Sequence, residues 1–423
     1  MSKRHDAQGI PVNSNQRRLI QASIVADAHS VHAPGVVLVE RDEVVASGDP
    51  ESVGQVGPEV LVEDWTGHLI TPPMVNAHVH LDLTDLDPLP QELDFDGWLA
   101  AVIRHRAAQE APGCVAQAVR RGVAASLAGG CPFVGDVCGS PRAFEALLDS
   151  ELGGVGFIEL FGHGPRAMRA LEAIKQVQAQ AAEIGAAGRL RPGLSPHAPY
   201  SAGPEVYRAA QASGLPVSTH LAESPEELQW CLQGEGAFAE RLEQMGYDPT
   251  DIVVPGGHPL DLYPPMLPRE GALIAHANYA QPQHVSRLQA CGATVVYCPR
   301  AYRYFGHPRD GAEDHGWRHM LAAGIPVALG TDGRPCLPAT GPAAERLSVL
   351  DEVGCLQQEE GVSLADWLPM VTLHGARALG VADEQVLLVP GIKRALPAIP
   401  LSPQGQGHLD LSRPLSNLLA PSE

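Results

Sequence analysis

Two histidines, two positions apart, close an apolar run in "MVNAHVHLDL" (residues 74–83). Alternate residues of a strand point to one face, so His78 and His80 stand side by side if this run is a strand. Such a pair can bind a metal ion, or it can be hydrogen-bonded structural histidines; the motif alone leaves both open. Histidine recurs where later apolar runs end, as His197 in "LSPH", His220 in "STH" and His276 in "IAH", and Asp332 closes "ALGTD". Five histidines and one aspartate at corresponding strand ends are far harder to explain as scattered core residues than any one of them alone. Three neutral imidazoles with one carboxylate suit Zn²⁺ or Fe²⁺ and leave a position for water, the arrangement that metal-assisted hydrolysis needs. Glu223, three residues after His220, is near enough to face the same cavity. Alone it could be a helix-start charge favoured by the dipole; in an HxxE context it reads better as a proton carrier.

The elements that must position these groups are eight apolar runs: 74–80, 132–137, 155–160, 190–197, 216–223, 272–278, 293–299 and 325–332. Between them lie segments with helical spacing, such as "RAMRALEAIKQVQAQAAEIG". In "SPEE", Ser224 and Glu227 read as a capping box. Strand alternating with helix eight times is the pattern of a (β/α)₈ TIM barrel, whose active site lies where the strands end. A doubly wound open sheet is disfavoured, because no glycine-rich phosphate loop follows the first strand. Short strands at 17–71 and in the tail suggest a small composite β-sandwich from both termini. The expected division is 1–71 with 384–423 for the sandwich and 72–383 for the barrel.

The bulk numbers narrow the partners. Acidic residues number 49 against 29 basic, a formal charge of −20 that repels phosphate backbones, so nucleic acid is not an expected partner. A small molecule, even an anionic one held by a local arginine, is. Eight cysteines without CxxC spacing read as reduced thiols, the N-terminus lacks a signal-peptide core, and no run is long enough to span a membrane. These features predict a cytoplasmic protein with no membrane association.

"MVNAHVHLDL", "LSPHAPYS", "STHLAES", "AHANY" and "ALGTD", in that order, resemble the amidohydrolase superfamily, in its branch of nucleobase deaminases and chlorohydrolases. "YCPRAYRYFGH" and "HLAESPEEL" are similar to the aminodeoxyfutalosine deaminases of menaquinone biosynthesis. The resemblance runs from about residue 20 to 400. It implies one divalent ion, Zn²⁺ ahead of Fe²⁺, on His78, His80, His220 and Asp332, because the fourth strand ends "LSPH" without the bridging lysine of binuclear members. It further implies Glu223, His276 and Asp332 as catalytic groups and 6-amino-6-deoxyfutalosine as the substrate, with a homodimer common among relatives. His197 would contact the sugar or substrate edge, or merely hydrogen-bond backbone. Arg300 in "CPRAYRYFGH" could hold a substrate carboxylate. Arg106, after "WLAAVIRH", could do the same or be a solvated charge. His163 and His307 are candidates by position only. Departures after Asp332 ("GRPCLPATG") and after Arg300 leave substrate choice open to chlorohydrolase chemistry or an S-adenosylhomocysteine- or guanine-type deamination. A non-catalytic scaffold usually lacks a ligand, and all four are present here.

Overall fold

The computed structural model describes residues 17–91, 94–109, 111, 113–338, 340–341, 344–393, 396–403 and 407–419. The polar leader before residue 17 and the last four residues lie outside the described residues.

Five strands precede the barrel: β1 (Arg18–Ala26), β2 (Val31–His32), β3 (Gly35–Glu40), β4 (Glu43–Gly48) and β5 (Leu61–Ile70). Eight parallel strands follow: β6 (Val75–Val79), β7 (Phe133–Cys138), β8 (Gly153–Leu160), β9 (Leu190–Pro196), β10 (Val217–Leu221), β11 (Ala272–His276), β12 (Thr294–Tyr297) and β13 (Val327–Leu329). Each falls within one of the apolar runs or overlaps it by a few residues. They pair in chain order from β6 to β13. The seam between first and last is joined by the bridge Val79–Asp332, and Asp332 N–H donates to His78 O at 3.1 Å. A Cβ on Gly330 would sit 2.8 Å from both the Cβ and the carbonyl oxygen of His78, so only glycine lets the edges approach this closely. This is a (β/α)₈ barrel.

Strand alternation divides the barrel's apolar residues between two buried clusters. One contains Val134, Ile158, Leu194, Ile274, Val295 and Val327; the other contains Val75, Phe133, Val155, Phe157, Val296 and Ala328. Burial of each such valine, leucine, isoleucine or phenylalanine side chain stabilises the fold by about 1.5–3 kcal/mol relative to exposure.

The tail supplies β14 (Pro397–Pro400) and β15 (Ser416–Asn417), which join the N-terminal strands in one seven-stranded sheet ordered β15-β14-β5-β1-β3-β4, with β2 on β1. Segments from the N-terminal and C-terminal parts of the chain therefore build the accessory unit, a single continuous hydrogen-bonded sheet. Apolar residues pack on both its faces, Ile20, Val37, Val39 and Trp65 in one cluster and Leu19, Val36, Leu38 and Val60 in the other. Buried Arg18 pairs with Glu63 at 2.8 Å and donates to Leu418 O, which ties the tail to the first strand. No helix among the described residues is long and apolar enough to cross a membrane.

Candidate active site

The ends of β6, β10, β11 and β13 bring five of the singled-out residues, together with Glu223 just beyond β10, into one buried cluster. Ring centroids of His78 lie 5.0 Å from His80, 4.9 Å from His220 and 5.3 Å from His276. Asp332 Oδ1 is 3.7 Å from His78 Nε2 and 3.5 Å from His80 Nε2. Glu223 Oε1 is 3.4 Å from His276 Nε2. Ligand-capable atoms of His78, His80 and His220 lie within 4.8 Å of one another, and so do those of Glu223, His276 and Asp332. Backbone strain concentrates here: Ala222, His276, Ala277 and Asp332 all have positive φ, between 51° and 69°. Left-handed non-glycine residues are costly and persist where the surroundings over-determine them, as at functional sites.

Hydrogen bonds fix the state of each ring. His220 Nδ1 lies 2.9 Å from His197 O, an oxygen that can only accept, so the proton is on Nδ1 and the Nε2 lone pair is free. Trp317 N–H donates to His315 Nδ1, so His315 Nε2–H donates to His276 O at 2.8 Å and steadies that strained residue. Burial holds His78 and His80 well below the usual imidazole range and His220 at about 4, so the rings are neutral. The carboxyls shift oppositely. Burial raises Asp332 to about 6, and burial with the nearby Asp332 charge raises Glu223 well above the usual range.

Both nitrogens of His78, Nδ1 of His80 and Nε2 of His276 are buried without a hydrogen-bond partner. Convergent, neutral, unpartnered imidazoles beside a carboxylate are a poor structural core but a fitting donor set for a divalent metal. His78, His80, His220 and Asp332 are the residues that could hold it. Glu223 and His276 lie beside these four, with their own ligand-capable atoms close to Asp332.

The other candidates are placed differently. His197 lies beside this cluster, its ring 4.9 Å from that of His220 and its Nδ1 2.7 Å from Ser201 Oγ. Arg106 turns inward and bridges two carboxylates, with Nε 3.1 Å from Asp82 Oδ2 and Nη1 2.6 Å from Glu159 Oε2. A cavity of about 490 Å³ opens beside Asp82 and Arg106. Arg300 is buried; its Nε and backbone N–H both donate to Glu352, while Nη1 and Nη2 have no partner. His307 accepts from or donates to Tyr279 Oη at 2.8 Å, and His163 packs against Trp230. The capping box is half right: Ser224 Oγ accepts from Glu227 N–H, but the Glu227 carboxylate reaches back to the amides of Ala222 and Glu223. Sequence reasoning passed over Asp82, Glu159, Asn278, His315 and Glu352, and gave Glu227 only a capping role. Asp82 and Glu159 stood at strand ends, the one signal that could have marked them.

A closed β/α barrel with a histidine–carboxylate cluster at its strand ends defines a hydrolase whose donor set fits a divalent metal. The Amidohydrolase family model matches residues 69–391, and the chain belongs to that family. It is an enzyme, a hydrolase acting on carbon–nitrogen bonds. The chain is 32% identical over 348 residues to the aminodeoxyfutalosine deaminase of Deinococcus radiodurans, covering 77% of this chain and 76% of that protein. Among solved structures it resembles Helicobacter pylori aminofutalosine deaminase in complex with methylthio-coformycin, with TM-score 0.72 and 23% identity over 91% of this chain and 92% of that one. It also resembles a zinc-bound adenosine deaminase from Xanthomonas campestris, with TM-score 0.70 and 18% identity over 94% and 92% of the two chains. The two structural likenesses establish the shared fold.

Proposed function

We propose that this protein is a metal-dependent aminohydrolase that replaces the ring amine of an aminopurine nucleoside by oxygen, with 6-amino-6-deoxyfutalosine of menaquinone biosynthesis as its substrate. The observation that carries this reading is the facing of Glu223, His276 and Asp332 against three neutral imidazoles. The named activity of the Deinococcus relative supports the substrate. His78, His80, His220 and Asp332 would hold the ion, and zinc suits three imidazoles and one carboxylate. A bound divalent ion lowers the pKa of water toward ~7 and so supplies a nucleophile at neutral pH.

The chain's own groups handle the protons. Glu223, kept neutral by burial and by Asp332, gives its proton to the ring nitrogen next to the carbon under attack. Asp332 takes the proton released by water and passes it to the departing amine. The hydroxyl proton of the adduct restores Glu223, so one water is consumed and one ammonia leaves. His276 orients the incoming oxygen through Nε2. Beyond this centre, the two unpartnered Arg300 nitrogens could receive the carboxylate arm of the substrate.

The test is ammonia release by zinc-loaded protein from aminodeoxyfutalosine, adenosine, methylthioadenosine, S-adenosylhomocysteine and guanine, with halide release from a chlorotriazine in parallel. Preference for the carboxylated nucleoside is expected. Halide without ammonia would overturn the reading, and preference for another nucleoside would move the substrate assignment alone.

A further inference from the structure

We infer that Glu227 is a positioning residue for Glu223, clamping the peptide that presents the proton carrier, and that Asn278 closes the clamp from the opposite side. Its kinetic part rests on the deaminase reading above. Glu227 is fully buried, yet it pairs with no cation among the described residues. Its Oε1 accepts from Ala222 N–H at 2.9 Å and its Oε2 from Glu223 N–H at 2.8 Å. The carbonyls of the same two residues are held from the next strand's turn: Tyr279 N–H donates to Ala222 O at 3.2 Å, and Asn278 Nδ2 donates to Glu223 O at 2.9 Å. All four backbone polar groups of Ala222 and Glu223 are thus fixed by two turns.

The clamp has something to hold. Ala222 has φ +51°, a conformation an alanine leaves readily unless it is restrained. Relaxation there would swing Glu223 off its line toward His276. Only a carboxylate can serve both amides at once. A glutamine offers one acceptor oxygen, and its NH₂ group must oppose the second N–H. A helix-start glutamate serving merely as a cap would instead bond the Ser224 amide.

The experiment is a double-mutant cycle of Glu223→Gln and Glu227→Gln in zinc-loaded protein, with metal content measured on every variant. Displacing a reacting group slightly costs up to about 10²-fold, so Glu227→Gln should lower kcat by at least roughly 10-fold. KM should stay within about threefold and metal content should not change. In the Glu223→Gln background the second substitution should cost nothing further, because its effect passes through Glu223. Losses that multiply, or a Glu227→Gln kcat near wild type, would overturn the proposal. If Glu227→Gln does not fold, Asn278→Ser releases the carbonyl side and enters the same cycle. An arm free of activity is hydrogen exchange at the Ala222 and Glu223 amides, which should quicken in Glu227→Gln; unchanged protection overturns the clamp. Quickened exchange in a protein that releases no ammonia from any aminopurine nucleoside would overturn the deaminase reading and leave the clamp standing.

Discussion

Glu223 and His276 face one another across 3.4 Å, Glu223 just past the end of one strand and His276 closing its parallel neighbour, in a register that pairs Leu221 with His276. In the proposed ligand set neither side chain is needed, and both are buried where an ionised carboxylate is disfavoured. On the proposed mechanism the pair moves a proton. Glu223→Gln should retain its metal and lose at least about 10²-fold in kcat, the size of a general acid–base contribution. Metal analysis and steady-state kinetics on one preparation check this, and near-normal turnover would remove Glu223 from the chemistry.

The four ligand candidates should behave as one unit. Alanine at His78, His80 or His220 should strip both metal and activity, and Asp332→Ala should abolish turnover. The barrel should still fold, since the site lies at the strand ends rather than in the packed layers. A metal-free, active His78→Ala protein would end the metal argument.

Arg300 and Glu352 form a buried pair. Arg300→Met leaves the Glu352 carboxylate without its cation and should lower stability by about 3–5 kcal/mol. Adding Glu352→Met should recover most of that loss, as read from denaturant midpoints. If the free guanidinium nitrogens also receive substrate, the double variant should lose selectively on carboxylated nucleosides, by roughly 10- to 150-fold in kcat/KM. Equal losses on uncharged nucleosides would make the pair purely structural.

Asp136 gives a pH prediction. Burial, then the neighbouring Asp82 charge, raise its carboxyl to about 7, with the Leu81 N–H opposing. The folded state thus holds a proton that the unfolded chain, near the ordinary value of about 3.9, releases earlier. Stability from this group is complete below about pH 4 and is lost as pH rises through about 7. Asp136→Asn keeps an oxygen for Leu81 N–H and should flatten the fall in urea midpoint between about pH 4 and about 7. An unchanged slope would assign it to other groups.

The sequence was legible where chemistry coincided with local pattern. An apolar run ending in histidine or aspartate marks a barrel strand and its site residue together, which is why His78, His80, His220, His276 and Asp332 could be read directly. Pairings across the fold were not legible. Arg106 finds Asp82 and Glu159, 24 and 53 positions away, only because the helix Phe95–Ala108 brings it over them. Glu227 had a local role to suggest, the helix cap, and tertiary geometry gave its carboxylate another. Glu352 lies on the helix Val349–Glu360, remote in sequence from the arginine it neutralises.

The seam joins His78 to Asp332, and beside it the Asn76 and Thr331 side chains bond across 255 positions of chain. The donor set is therefore incomplete until the most distant parts of the barrel have met. Closing so long a loop is entropically late in folding. An ion held by residues on both edges would act as a rivet through the last joint to form, so chelation should loosen this joint before it loosens any other part of the barrel.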